Sequence, residues 1–254
     1  MGQIIAVANQ KGGVGKTTTA INLAASLAVA EQRTLLVDLD PQANATSGIG
    51  IDRSSIRLTT YHALLGQASI KDIIRPTSIE YLQILPANTD LLGAEIELVG
   101  EAGRETRLRN VLSEIVDDFQ FIIIDCPPSL GLLTVNALTA ADSVLIPLQC
   151  EYYAMEGLSQ LTKTVRLIQR DLNPKLVING ILLTMFDRRN NLSHQVSEEM
   201  RKYFTDRVFQ TVIPRNVRLS EAPSHGLPVL MYDIVSTGAT AYLALAKEII
   251  DTRK

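Results

Sequence analysis

The chain is short of the features that mark several protein classes. Its 254 residues hold two cysteines, Cys126 and Cys150, far apart and outside any C-x-x-C pair. That excludes a disulfide framework and suits a reducing compartment. No apolar run reaches the roughly 18 residues that span a bilayer. The longest runs, FIII and SVLIPL, read as buried strands. The opening QIIAVANQ is too short for a signal peptide and leads directly into a glycine-rich loop. His62, His194 and His225 are not spaced as metal ligands and read as surface or capping residues. No linker, repeat or low-complexity tract interrupts the chain, so a single domain over residues 1–254 is expected. With 46% hydrophobic and 20% charged residues, a sizeable core is affordable and disorder is not indicated.

Net charge is only −3, which excludes a general polyanion binder, but the charge is uneven. Residues 1–150 hold ten Lys and Arg against sixteen Asp and Glu; residues 151–254 hold fourteen against eleven. Seven basic and three acidic residues lie between Arg188 and Arg218. That stretch reads either as a solvated, ion-paired helix face or as a surface for an acidic partner.

Short apolar runs alternate with helical stretches. Strands are expected at Ile4–Ala8, Thr34–Asp40, Leu82–Ala87, Phe121–Pro128, Ser143–Leu148, Ile178–Phe186 and Val208–Pro214. Helices fit at Lys16–Ala30, Asp90–Val99, Arg104–Asp117, Leu132–Ala141, Met155–Leu172, Ser193–Tyr203 and Ala239–Thr252. The alternation predicts an α/β fold, a mostly parallel sheet flanked by helices on both faces. In such sheets ligands sit at the carboxyl ends of the strands. Four polar clusters fall there: Asn9–Thr18, Asp38–Gln42, Asp125–Ser129 and Thr184–Asp187.

The first cluster reads NQKGGVGKTT. The common phosphate loop is G-x-x-x-x-G-K-[ST]. Gly15, Lys16 and Thr17 fit its end, yet Gln10 stands where the first glycine belongs, and Lys11 adds a second lysine. Gly12, Gly13 and Gly15 let the backbone turn tightly and aim N–H groups at phosphate oxygens. The helix beginning at Lys16 adds its positive N-terminal end. Lys16 can reach the β- and γ-phosphates and Thr17 can ligate Mg²⁺. Asp125 ends an apolar strand, where an acid contacts Mg²⁺ through water. Asp38 and Asp40, two apart on an extended segment, share a side. One can orient an attacking water and the other can tune the metal shell. The competing reading of each acid is helix capping.

KGGVGKTT, LLVDLDPQ and IIIDCPPS together resemble the deviant Walker A class of P-loop NTPases. QCEYYAMEGL, LLTMFD and IPRNVRLSEAPSHGLPV narrow the resemblance to the ParA/Soj chromosome- and plasmid-partitioning ATPases, over essentially the whole chain. The resemblance implies a slow, Mg²⁺-dependent ATPase, stimulated by a ParB-type centromere-binding protein. Its ATP-bound homodimer would bind non-specific double-stranded DNA and stay off membranes. It implies that Lys11 reaches the nucleotide of a partner subunit and that Gly12 lies where two loops meet. The loop from Lys11 through Gly12, Gly13, Val14, Gly15, Lys16 and Thr17 to Thr18 would hold ATP. Asp40 would position the water, with Lys11 and Lys16 as its catalytic partners. Thr17, Asp125 through water and Asp38 would serve the metal. Pro214 and Asn216 would contact the base, with Thr184 and Met185 nearby, and Arg189 and Arg218 would contact DNA. Eight residues precede Asn9, so the resemblance is to the short form without an N-terminal helix-turn-helix, cytoplasmic and nucleoid-associated.

Three rivals share the fold. A MinD-like division-site ATPase needs a basic, amphipathic C-terminal helix for the membrane. AYLALAKEIIDTRK has core-type Ala, Leu and Ile spacing instead. An iron–sulfur reductase would use Cys126 and Cys150, which read more simply as small buried thiols. A biotin- or cobyrinate-pathway ligase would need a carboxylic-acid pocket that the sequence does not indicate. Tyr152 and Tyr153 read as interface or core aromatics.

Overall fold

The computed structural model describes residues 2–151 and 154–252, apart from the side chains of 154–156 and 206. Tyr152 and Tyr153 therefore lie outside the described residues. Seven strands form one sheet: β1 Gln3–Val7, β2 Thr34–Asp38, β3 Arg75–Pro76, β4 Leu82–Leu85, β5 Phe121–Asp125, β6 Ser143–Gln149 and β7 Val177–Thr184. Their order is β3-β4-β2-β5-β1-β6-β7, all parallel except the two-residue edge strand β3. The helices are α1 Lys16–Val29, α2 Asn44–Gly48, α3 Thr60–Leu64, α4 Ile70–Ile73, α5 Leu91–Glu97, α6 Arg107–Ser113, α7 Leu132–Ala140, α8 Ala154–Asp171, α9 Asn191–Phe204, α10 Val217–Glu221, α11 Val229–Tyr232 and α12 Thr237–Thr252.

The period-two alternation of each strand feeds two cores. Ile4, Ala6, Val37, Ile122, Ile124 and Ile146 face one helical layer. Ile5, Val7, Leu36, Ile123, Leu145 and Leu182 face the other, built around α1 and α12. The central strand β5 is buried at every residue, which explains its unbroken Phe-Ile-Ile-Ile run. Helix α12 turns Ala239, Tyr242, Leu245, Ala246 and Ile249 inward, and the Tyr242 hydroxyl lies 3.1 Å from Thr19 Oγ1 on α1. That apolar stripe packs against the core.

Two expected elements differ. Val208–Pro214 runs beside β7, with Phe209 N and Ile213 N donating to Ile181 O and Leu183 O, but pairs only as isolated bridges, Ile181 to Val208 and, just past β7, Phe186 to Pro214. The amides in between, Gln210 and Thr211, donate instead to the Glu248 carboxylate at 2.8 and 3.1 Å, so no ladder forms. The expected helix Arg104–Asp117 is broken into a 3₁₀ turn, α6 and a second 3₁₀ turn. Asn136 interrupts its start: its Oδ1 accepts from Leu108 N at 3.1 Å and its Nδ2 donates to Arg104 O at 2.8 Å.

Parallel register brings the site together. Val7, Asp38 and Asp125 end three adjacent strands in one row, Val7 beside Asp125 and Asp125 beside Asp38. Gln149 and Thr184 end the next two strands in register. All the sequence clusters therefore meet at one edge of the sheet.

Candidate nucleotide site

The loop between β1 and α1 is tied down at both ends. Asn9 donates through Nδ2 to Pro147 O on β6 at 2.8 Å and accepts from Lys11 N at 3.0 Å. The Thr184 hydroxyl, at the end of β7, donates to Val14 O at 2.9 Å. Gln10, in place of the usual first glycine, reaches across to Gly157 O on α8. Gly13 and Gly15 hold φ of 75° and 90°, a left-handed backbone that disfavours side chains. Val14, between them, is buried.

The two lysines separate. Lys16 is buried at the start of α1, its ammonium donating to Lys11 O at 3.1 Å. Burial pulls its pKa below the usual lysine range, opposed chiefly by Asp125. Lys11 is half-exposed and its ammonium lies 2.6 Å from Glu151 Oε2, at the end of β6. Gly12 and Gly13 are exposed, and a Cβ on Gly12 would meet no atom within 4 Å. The protomer itself does not explain a glycine at position 12.

The acids divide in the same way. Asp38 is fully buried and its oxygens accept from Thr46 N at 2.8 Å, Thr46 Oγ1 at 2.7 Å and Asp40 N at 3.1 Å. Burial still raises its pKa to about 6. The expected metal role for Asp38 loses ground here, because its lone pairs already hold the β2–α2 turn. Sequence reading missed Thr46; a hydroxyl eight residues after a buried acid was the available signal. Asp40 is nearly buried and accepts Gln42 N at 2.9 Å. Asp125 is buried, and among the described residues neither of its oxygens has a hydrogen-bond partner. The Thr17 hydroxyl comes near it without reaching hydrogen-bond geometry, and burial beside Asp38 pushes its pKa well up.

An orphaned buried carboxylate beside a buried lysine and a glycine cradle is a poor arrangement for an empty protein. It fits a site that takes in phosphate and a hard cation together. Mg²⁺ keeps most of its waters and needs few protein oxygens, so the Thr17 hydroxyl and the Asp125 carboxylate would suffice.

Beside the loop lies a cavity of about 330 Å³ bordered by Gly15, Thr18, Thr184, Met185, Pro214 and Asn216. It brings together the four residues expected near the base. Asn216 caps α10 by accepting from Arg218 N at 2.8 Å and donates to Thr237 Oγ1 at 2.7 Å, so it offers a wall more than a free amide. Arg189 and Arg218 do not line this cavity and are ion-paired, Arg189 to Asp187, and Arg218 to Glu221 and Asp233. Both cysteines are buried and burial raises both thiols, Cys150 to about 11. Among the described residues no helix is long and apolar enough to cross a membrane.

A family model described as an AAA domain matches residues 2–178. The chromosome partitioning protein ParA of Myxococcus xanthus is 61% identical, over 100% of this chain and 90% of that protein. The sporulation initiation inhibitor protein Soj of Bacillus subtilis is 60% identical over 98% of both. The chain belongs to the ParA/Soj family of partitioning ATPases. Among solved structures, a cobyrinic acid a,c-diamide synthase from Mycobacterium smegmatis, with bound ADP and magnesium, superposes with a TM-score of 0.87. It is 39% identical and the match covers 98% of this chain and 94% of that one. The ligase named there is one of the rival classes, but the partition proteins match far more closely.

Proposed function

We propose that the chain is an ATP-dependent dimerising switch for DNA partition. ATP and Mg²⁺ occupy the loop and the Asp125 edge, with the base in the cavity beside Pro214 and Asn216. Lys16 holds the protomer's own β- and γ-phosphates. Mg²⁺, when bound, would neutralise phosphate charge between Thr17 and Asp125. Asp40 orients the attacking water, while Asp38 keeps the Asp40 turn in place. Lys11 supplies charge to the nucleotide of the partner subunit, stabilising a transition state that spreads negative charge over the γ-oxygens. Turnover is slow until a ParB-type protein stimulates it, and the ATP-bound dimer binds duplex DNA without sequence preference.

The observation that carries this reading is the division of labour in the loop. Lys16 is buried over the cradle, whereas Lys11 is turned outward beside an exposed Gly12 with empty space around it. The test compares wild type with Lys11→Ala in Mg²⁺ and ATP. Light scattering should show a dimer only for wild type, and duplex binding should follow the dimer. A Lys11→Ala protein that dimerises and hydrolyses as wild type does would overturn the reading. ATP-dependent pelleting with anionic vesicles in place of DNA binding would favour the MinD-like alternative.

A further inference from the structure

A second concavity, about 820 Å³, adjoins the base cavity and shares Pro214 and Arg215 with it. Arg188, Arg189 and Arg215 line it, with Asp187 as the one acid. Thr211, Thr237 and other hydroxyl and amide side chains share the rest of the lining with apolar Phe186, Val212 and the alanines of α12. Such a lining, arginines interleaved with hydroxyl donors, matches the groups that hold nucleic-acid phosphates.

The arginines differ in what they have left to give. Arg189 is 90% exposed but ion-paired to Asp187 at 3.2 Å. Arg218 does not line the concavity, and a phosphate approaching it also meets Glu221 and Asp233, at 2.8 and 3.1 Å from the guanidinium. Arg188 and Arg215 are exposed, and neither side chain makes an ion pair or hydrogen bond among the described residues. Their backbones are nevertheless fixed. His194 Nε2 lies 2.9 Å from Arg188 O, and the His194 ring packs edge-on against Phe186. Arg215 N donates to Phe186 O at 3.1 Å. Two guanidinium groups without a hydrogen bond or ion pair among the described residues are thus presented from one anchored corner, Arg215 close enough to Asp187 to help lower that carboxyl's pKa, so little backbone order remains to be gained on binding.

We propose that Arg188 and Arg215 are phosphate contacts of a duplex-DNA groove, in addition to the arginines already expected to serve there. The proposal rests on the DNA-partner reading above. It also gives a route from nucleotide to DNA. Pro214 and Arg215 border both the base cavity and the groove. A base seated against Pro214 fixes the segment from which Arg215 projects.

The test measures binding of a random-sequence duplex to the protein in Mg²⁺ and ATP, across a salt series, by fluorescence anisotropy. Each phosphate contact contributes about 0.9 to the slope of log affinity against log salt. Arg188→Ala and Arg215→Ala should each lower that slope by about one, and the double variant by about two. Arg188→Lys and Arg215→Lys should restore it, since the contact is to charge. Light scattering on the same samples confirms that the variants fold and dimerise. If wild type binds and the Ala variants keep the full slope, the inference falls alone. If wild type ignores duplex at every salt, the DNA reading falls and takes this inference with it. If the Ala variants lose slope and the Lys variants do not recover it, charge contact at these positions is refuted.

Discussion

Replacing Glu151 with glutamine should tighten the ATP-dependent dimer. Lys11 Nζ lies 2.6 Å from Glu151 Oε2 in the free chain. If Lys11 serves the partner's nucleotide, this ion pair must open in both protomers when the dimer forms. The two side chains are 41% and 47% exposed, so water and salt screen the attraction. Exposed pairs contribute about 0.2–1 kcal/mol, and about 0.5 kcal/mol suits this short one. Two such pairs oppose assembly by about 1 kcal/mol, or roughly five-fold in the dimer dissociation constant. Glutamine keeps the shape and removes the charge. The assay is sedimentation velocity in Mg²⁺ and ATP, in an Asp40→Ala background that slows turnover. The gain should be largest at low salt and shrink toward about 0.5 M, where the Debye length falls to a few ångströms. In a Lys11→Ala background, which the reading leaves monomeric, Glu151→Gln should restore no dimer. A weaker dimer, or an equal gain without Lys11, would show that Glu151 does not compete for Lys11.

Other changes follow from the same geometry. Lys16→Ala should raise the ATP dissociation constant by about 10- to 100-fold, the worth of a charge-assisted contact; calorimetry showing near wild-type affinity would contradict that. Gly12→Val should bind ATP and stay monomeric, because its side chain meets nothing within the protomer; an ATP-dependent dimer by light scattering would count against facing loops. Asp40→Ala should bind ATP and dimerise while turnover falls by about a hundred-fold or more, the range of a lost proton-handling group; normal phosphate release would sink its role. Asp38 and Asp125 have folded pKa values above their unfolded ones, so the stability they lend is present at low pH and lost as pH rises through the folded values. Without metal and nucleotide, wild type should therefore lose melting temperature relative to Asp125→Asn as pH rises above the ordinary carboxylate pKa of about 4. Equal pH profiles for the two proteins would show that Asp125 carries no such penalty.

Much of this was legible in the chain because parallel β/α units write themselves plainly. IIAVA, TLLVD, FIIID and SVLIPL are apolar on both faces, and their polar ends had to meet at one edge. The phosphate loop, Asp38 and Asp125 could be placed at one edge for that reason. What escaped depends on contacts distant in sequence. Glu151 is 140 residues from Lys11, and no local pattern marks it as that lysine's partner. Val208–Pro214 has strand-like composition, but Glu248 takes two of its amides, a tertiary competition that propensity does not see. The short helices α2, α3, α4, α10 and α11 have four or five residues each, too few to show a period.

The position of Lys11 also bears on why such a loop would give up its first glycine. Gln10 spends its side chain on α8 and Asn9 spends its own on β6, so the stretch before Gly12 is held by neighbouring elements, with Lys11 O accepting from Lys16. Lys11 leaves that stretch pointing toward Glu151, where its charge is answered within the protomer. On the proposed reading a lone protomer holds ATP with Lys16 but lacks the second cation that the transition state calls for. Hydrolysis then waits on assembly, since the missing charge exists only on another copy. The ion pair adds a second brake of about half a kilocalorie per protomer. That is small enough for ATP to overcome and large enough to be felt in the monomer–dimer balance. A loop with the ordinary opening glycine and a single lysine would have to draw that second charge from another donor, in cis or in trans.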